Sequence, residues 1–299
     1  MLRARMSTRT RPSRTGRVKA YLALTKPRII ELLLVTTVPT MVVAAGGWPS
    51  TALVLATLVG GSLAAGGANA LNMYLDRDID RVMGRTRNRP LVTGEVTPRA
   101  ALAFALALEV AAFVELWALV NLLAAVLAVS ATAFYVVVYT LWLKRTSANN
   151  IVIGGAAGAV PVLVGWAAVT GSLGVAPWVL FAVVFFWTPP HFWALAIRYR
   201  DDYAVAGVPM LPVVRTLAET ARQILLYACV LWAATVAFWP VGRMGSLYLG
   251  AALALGATFT YKAAALVRDA SPRRAMGLFT YSITYLTLLF AAMAADRLL

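Results

Sequence analysis

The sequence predicts an all-α polytopic membrane protein of about nine transmembrane helices, with its N-terminus inside. Three observations carry that reading. The 299 residues are 61% hydrophobic and only 13% charged, with a mean hydropathy of +0.76, whereas soluble domains average about 45–50% apolar and ~25% charged residues. Nine apolar windows near the ~17–25 residues of a spanning helix fit at about 29–47, 52–74, 100–118, 121–143, 151–170, 176–197, 222–241, 246–267 and 276–295. Finally, 25 of the 27 Lys and Arg residues fall in alternate connections, at 1–28, 75–99, 144–145, 198–222 and 262–274. This is the positive-inside pattern. It puts the C-terminus outside and every loop of chemical interest on the cytoplasmic side. The same distribution excludes nucleic acid as the reason for the net charge of +15.

The elements follow in chain order. Residues 1–19 are rich in Arg, Ser and Thr and contain no acid. They read as a basic, disordered arm on anionic lipid headgroups, ahead of a single intramembrane domain over 20–299. A mitochondrial presequence is the alternative, but no amphipathic stripe supports it. No cleavable secretory signal is visible, because the first apolar run is already a full span. A compact chain with so small an arm suits a bacterial inner (plasma) membrane.

The second span runs directly into a charged loop, 75–99, which Asn88-Arg89-Pro90-Leu91-Val92-Thr93-Gly94 brings to a helix stop. Only Asn121 and its neighbours divide the third span from the fourth; one very long helix there would leave eight spans. Lys144 and Arg145 end the fourth, and a small-residue run at 154–159 in the fifth permits close helix packing. The sixth ends in a second charged loop, 198–221, closed by Gly207-Val208-Pro209-Met210-Leu211-Pro212. The two loops follow spans four apart, and each sets acids among bases. That is the pattern of a weak internal duplication with two half-sites facing one another. Cys229 lies within a span, and as the single cysteine it excludes an internal disulfide.

The first loop carries the densest chemistry. Asn72, Asp76 and Asp80 recur every fourth residue, so on a helix they share one face, drifting roughly 40° per step over about 12 Å. Like charges so placed repel unless a cation compensates. Such a row can hold one or two Mg²⁺ ions, which prefer carboxylates together with substrate phosphate oxygens. Arg85 and Arg89 follow as complements to a phosphate, while Asp78 points away from the row. The plain alternative is a solvated helix end with Asp–Arg pairs at the headgroups.

In the second loop, Arg198, Tyr199, Arg200, Asp202 and Tyr203 look like the other half of a metal or phosphate clamp, with Asp202 one turn after Arg198. Two acidic rows can grip metal ions that bridge a diphosphate. Lys144 and Arg145 read either as membrane anchors or as a third cationic wall. His191, the only histidine, lies eleven residues before Asp202. On a continuous helix that puts the two on one face, roughly 16 Å apart, with the histidine beneath the clamp. A polar group at that depth faces a cavity or a partner, and this one suits haem ligation or proton movement. Glu31 is placed to pair with Lys26 or Arg28. Glu109 and Glu115 also fall within spans, Glu109 as a candidate cavity-lining acid.

At this point the strings become specific. Asn72-x₃-Asp76-x₃-Asp80 at the inner end of a second span resembles the first signature of the UbiA-type intramembrane prenyltransferases. Leu24-Thr25-Lys26-Pro27-Arg28, Arg85-Thr86-Arg87-Asn88-Arg89-Pro90-Leu91, Leu143-Lys144-Arg145-Thr146, Pro190-His191-Phe192 and Asp202-Tyr203-x-x-Ala206-Gly207-x-Pro209-Met210-Leu211-Pro212 resemble the haem-farnesylating branch of that superfamily. The resemblance implies helices around a central cavity, with Mg²⁺ held by Asn72, Asp76, Asp80 and Asp202 and farnesyl diphosphate at the cytoplasmic mouth. It implies transfer of the farnesyl group to a vinyl of haem B with addition of water, giving haem O on the route to haem A in cytochrome oxidase assembly. Haem A synthase then becomes a partner to expect. Where many members carry a second acidic row, this chain has Arg198 before Asp202 and no acid at 206. Transfer to a quinone precursor or a chlorophyll-type ring is the runner-up. A transporter fits less well, since transporters place ionisable groups near the midplane.

Overall fold

The computed structural model describes residues 14–299, apart from the side chains of residues 14, 28, 29 and 32–34. No strand occurs among the described residues. In order the helices are α1 (Arg14–Thr25), α2 (Pro27–Ala45), α3 (Thr51–Leu75), α4 (Arg77–Val82), α5 (Pro90–Thr93), α6 (Pro98–Leu119) and α7 (Leu122–Thr146). They continue as α8 (Asn150–Thr170), α9 (Val175–Arg198), α10 (Arg200–Val205), α11 (Leu211–Val214), α12 (Leu217–Val241), α13 (Ser246–Arg268) and α14 (Pro272–Leu298). Eight of these, α3, α6 to α9 and α12 to α14, are long and apolar enough to cross a membrane. The 19-residue α2 occupies the place of the first predicted span.

Local chemistry explains the boundaries. The Asn121 side chain accepts the Ala124 N–H at 2.8 Å, capping α7, and donates to the Ala167 carbonyl at 2.8 Å. That settles the uncertain division in favour of two helices. Thr97 caps α6, and Thr216 with Glu219 forms a capping box at α12. Between α1 and α2 the chain turns at Lys26, whose φ of 51° lies in the left-handed region. A non-glycine residue pays strain there, and such strain persists only where surroundings over-determine it. The expected arm at 1–19 is already helical from Arg14, because Ala20 and Leu24 bury against Ala70, Met73 and Ala101 while Arg17 and Lys19 stay exposed. Residues 1–13 of that arm lie outside the described residues.

Each long helix packs against the next, and α14 packs back against α2. The helices thus close into a ring, with α2 also crossing to α8 and α9 to α14. Because neighbours are antiparallel, all the base-rich connections gather at one end, the polar end. Large apolar side chains such as Val110, Leu119, Leu141 and Val175 are exposed on the outside, as a lipid-facing surface requires. Exposed Trp48, Trp117, Trp178 and Trp239 stand near the opposite rim, where interfacial tryptophans collect.

The two charged loops share one plan. A six-residue helix with acids in its first turn (α4 with Asp78 and Asp80; α10 with Asp201 and Asp202) follows a long helix. A four-residue helix with proline near its start, α5 or α11, then leads into the next long helix. The predicted duplication is thus visible as a repeated order of elements.

Candidate active site

The acidic row survives a break in the helix that carries it. α3 ends at Leu75 and Asp76 is its cap residue, yet the Asp76 N–H bonds the Asn72 carbonyl at 2.9 Å and the Asp80 N–H bonds the Asp76 carbonyl at 2.8 Å. The i to i−4 bonding therefore runs on into α4, and Asn72, Asp76 and Asp80 stay aligned. All three are buried, with Asp76 fully so. A buried carboxylate must be paired. Asp76 takes an ion pair from Lys144 Nζ, a hydrogen bond from Asn72 Nδ2 at 2.8 Å, and the Arg145 guanidinium at 3.6 Å. Arg89 Nη1 reaches both oxygens of Asp80, at 2.8 and 2.6 Å.

Against Asn72 and Asp80 lies a cavity of about 440 Å³, lined also by Lys26, Arg85, Arg89, Lys144, Tyr203 and Phe192, while Asp76 and Asp202 are not among its lining residues. Lys26 Nζ donates to Asn72 Oδ1 at 2.9 Å. Burial first, then the nearby charges of Arg89 and Lys144, lower its ammonium pKa from 10.5 to about 7. In the sequence this lysine stands out only by its place in the Leu24–Arg28 string and as a candidate partner of Glu31. Its expected partner, Glu31, is instead exposed.

The wall opposite Lys26 comes from α7, whose stretch Phe134–Leu143 is wound as a π-helix. The wide turn lets Thr140 Oγ1 donate to the Tyr135 carbonyl at 2.9 Å, and Thr140 accepts from Asn72 at 3.1 Å. It brings Tyr135, Tyr139 and Lys144 to one cavity wall, with the two tyrosine rings stacked at 5.3 Å. π-Helical turns of this kind recur at functional sites. The tyrosines were missed because they sit in an apolar span with no charged neighbour before Lys144.

The second loop contributes less than expected. The Arg85 N–H donates to Asp202 Oδ2 at 3.1 Å, and Arg85 Nη2 donates to the Tyr203 hydroxyl at 3.3 Å. The two half-sites therefore do face one another. Burial pushes the Tyr203 phenol upward, opposed by Arg85 and Arg89. Tyr199 lies under Arg85 and Arg198, at 5.5 and 5.8 Å. Arg200 is exposed and does not line the cavity. Arg145 turns away as well. It grips Asp78 through two bonds of 2.6 and 2.8 Å and the Leu75 carbonyl at 3.2 Å, holding the Asp78 carboxyl well below the usual range. The residue that points away from the row thus decides where this arginine goes.

α9 ends at Arg198 and Tyr199 joins it to α10, yet the Tyr199 N–H bonds the Leu195 carbonyl at 3.3 Å and the Tyr203 N–H the Tyr199 carbonyl at 3.2 Å, so the i to i−4 bonding runs on from α9 into α10 as it does at Asp76. The imidazole is sandwiched between Trp187 and Phe279, at 4.2 and 4.6 Å, and its Nδ1 meets Ser282 Oγ at 2.6 Å. Since the Ser282 hydroxyl donates to the Phe279 carbonyl at 2.6 Å, Nδ1 carries the proton and Nε2 is the bare nitrogen. His191 lines neither cavity, although its neighbour Phe192 lines the polar one.

A second, apolar chamber of about 190 Å³ adjoins the first at Tyr135, which lines both. Its walls are small side chains of α3, α7 and α8, including Gly61, Ala65, Ala128 and Gly158. Glu109 stands behind this wall, accepting from Thr132 at 3.2 Å, so its predicted cavity role reduces to a second-layer contact.

Among the described residues no three acidic, histidine or cysteine side chains gather as a metal cluster. The four predicted ligands are not preassembled, since each carboxylate has been drawn to a base or an N–H donor. The donor set nonetheless fits a hard cation that arrives with its own phosphate oxygens. Asp76 Oδ1 is buried without a hydrogen-bond partner, with the Arg145 guanidinium 3.6 Å away.

Comparison with known proteins agrees with this geometry. The family model described as the UbiA prenyltransferase family matches residues 33–292. The chain is 56% identical over 286 residues to a protein of Clavibacter michiganensis subsp. michiganensis named protoheme IX farnesyltransferase, covering 95% of this chain and 94% of that one. Among solved structures, one described as digeranylgeranylglyceryl phosphate synthase superposes with a TM-score of 0.77 at 17% identity, over 94% of this chain and 98% of that one. A UbiA homolog from Archaeoglobus fulgidus, bound to GPP and Mg²⁺, gives 0.65 at 17% identity, over 92% and 99%. At such identities these two likenesses speak for the fold.

Proposed function

The chain belongs to the UbiA prenyltransferase family, and on that footing we propose that it transfers the farnesyl group of farnesyl diphosphate to a vinyl group of haem B, with addition of water, giving haem O and diphosphate. The observation that carries this reading is the adjacency of the two chambers. A polar cavity lined by Lys26, Arg85, Arg89, Lys144 and Asp80 shares Tyr135 with an apolar one. A prenyl diphosphate has the same two-part chemistry. The haem acceptor is supported by the relatives' name, at 56% identity over nearly the whole chain.

In this reading the diphosphate enters between α3, α7 and the two charged loops. Lys144 and Arg89 leave their carboxylates for phosphate oxygens, joined by Lys26 and Arg85, and the charges regroup without leaving a buried ion unpaired. Asn72, Asp76, Asp80 and Asp202 would hold Mg²⁺, which when bound would supply Lewis-acid stabilisation of the departing diphosphate. Arg198, Tyr199 and Tyr203 position Arg85 and the second loop. Arg145, through Asp78, fixes α4 against α7. The stacked rings of Tyr135 and Tyr139 present π faces where the allylic cation forms, and the surrounding apolar wall keeps out water that would divert it to farnesol.

His191, with Nδ1 held by Ser282, would act on the haem through Nε2, as a ligand or as the group that positions the added water. Nine spans with the N-terminus inside, in a bacterial plasma membrane, place the diphosphate mouth on the cytoplasmic side where the bases collect. Haem A synthase would take up the product. The test is diphosphate release from purified protein given farnesyl diphosphate, Mg²⁺ and either haem B or 4-hydroxybenzoate. Release with haem alone, abolished by EDTA, is the expected result. Release with the phenol alone would transfer the assignment to a quinone precursor, and release with neither would leave a carrier.

A further inference from the structure

Resting on the reading that the prenyl tail occupies the apolar chamber, we propose that Gly61 sets the length of the donor chain, while Gly158 guards the neck through which every donor passes. The chamber is lined along α3 from Asn69 to Thr57, twelve residues or roughly 18 Å of helix at 1.5 Å per residue. Gly61 stands eight residues beyond Asn69, roughly 12 Å down that wall. A farnesyl main chain, advancing roughly 1.2 Å per carbon–carbon bond, is about 14 Å long, and a geranyl chain about 9 Å. A tail entering at the level of Asn69 and Tyr135 therefore lays its third isoprene unit, and only that unit, against Gly61.

The glycines themselves separate into two kinds. Gly60 packs against Leu116 Cγ, Gly154 against the Tyr139 ring and Gly155 against Thr188, so a Cβ there would strike a neighbour. At Gly61 and Gly158 a Cβ would meet nothing within 4 Å, and both residues line the chamber. Their missing side chains leave room instead of making a packing contact. Depth distinguishes them. One turn outward from Gly154 on α8 is Gly158, and one turn outward from Tyr139 on the antiparallel α7 is Tyr135. Gly158 thus lies at the neck, and Gly61 at the far end.

The experiment measures binding of farnesyl and geranyl diphosphate, each with Mg²⁺, to the full-length protein purified in detergent. Gly61→Leu should weaken farnesyl diphosphate by about a hundredfold, the loss expected when one five-carbon unit forfeits its burial, with geranyl diphosphate held within about threefold. Gly61→Ala should give a smaller shift in the same direction. Gly158→Leu should weaken both donors alike. Equal loss of both donors in a folded Gly61→Leu protein, or an unchanged ratio, would overturn the assignment; if Gly61→Leu does not fold, the ratio in Gly61→Ala decides. Wild-type protein that binds neither donor would instead overturn the prenyltransferase reading beneath it.

Discussion

Replacing Lys144 with methionine separates the two partners that the site exchanges. Asp76 is wholly buried and Lys144 nearly so, at 0% and 12% side-chain exposure. Removing one member of a buried pair costs ~3–5 kcal/mol when the other is left uncompensated. Here Arg145 remains 3.6 Å from the other Asp76 oxygen, and unit charges at about that distance attract by roughly 4 kcal/mol at an effective dielectric near 20. Asn72 still donates at 2.8 Å. The loss should therefore sit at the low end, about 3 kcal/mol, or roughly 6 °C in a chain of this size.

Mg²⁺ should restore most of it without any diphosphate, because a ligand at about a hundred times its dissociation constant returns ~2.7 kcal/mol. The nine tryptophans provide the unfolding signal in detergent, and Mn²⁺ titration by electron paramagnetic resonance reads the metal directly. Metal alone should bind Lys144→Met more tightly than wild type. Diphosphate affinity should fall roughly ten- to hundredfold, through loss of a charge-assisted bond of ~1.5–3 kcal/mol. If the variant gains nothing from Mg²⁺ beyond what wild type gains, Lys144 is no stand-in for the ion and the exchange is wrong.

Three other outcomes follow from the geometry. The Lys26 value of about 7 lies below the 10.5 of the unfolded chain, so between those pH values the unfolded state holds a proton that the folded state has released. Stability should rise with pH across that window, the penalty being full below pH 7. Diphosphate binding at about pH 8 should then take up a proton, read as a calorimetric enthalpy that varies with buffer ionisation heat; Lys26→Met should abolish the variation, and its absence in wild type would refute the role. His191→Ala should leave farnesyl diphosphate affinity unchanged while weakening haem B binding by about tenfold or more, a hydrogen-bonded or ligating contact being worth over ~1 kcal/mol; unchanged haem affinity and product yield in an optical titration would remove His191 from the haem side. A Cβ at Gly84 would stand 3.3 Å from Asp202 Oδ1, so Gly84→Val should displace that carboxylate and raise the Mg²⁺ requirement of turnover, with Gly84→Ala affected less; an unchanged Mg²⁺ dependence would place Asp202 outside the metal set.

What was legible in the sequence has physical reasons, and so has the rest. Helix positions follow from apolar run length, and the split at Asn121 from a capping side chain, because both are local. The acidic row was readable since its four-residue spacing outlasts the break at Asp76 through two backbone bonds. Partner choice was not readable. Arg145 and Asp78 are 67 residues apart, and Lys26 and Asn72 are 46 apart; only the closing of the ring brings them together. Tyr199 interrupts its helix as Asp76 does, with backbone bonds running across it, but nothing in the sequence announces that His191 is held between Trp187 and Phe279 with Ser282 on its Nδ1, 91 residues away. The apolar chamber was invisible for a different reason. Its lining residues are alanines and glycines that in sequence are indistinguishable from those that pack helices together.

The central claim is that the row at Asn72, Asp76 and Asp80 and the bases around it activate farnesyl diphosphate for transfer to haem. Mass spectrometry of haems extracted from membranes given farnesyl diphosphate, haem B and Mg²⁺ tests it most directly. Wild-type protein should yield haem bearing a hydroxyethylfarnesyl group, and a folded Asp76→Ala variant should yield none. Farnesylated haem from Asp76→Ala at the wild-type level, or none from the wild type, would contradict the account.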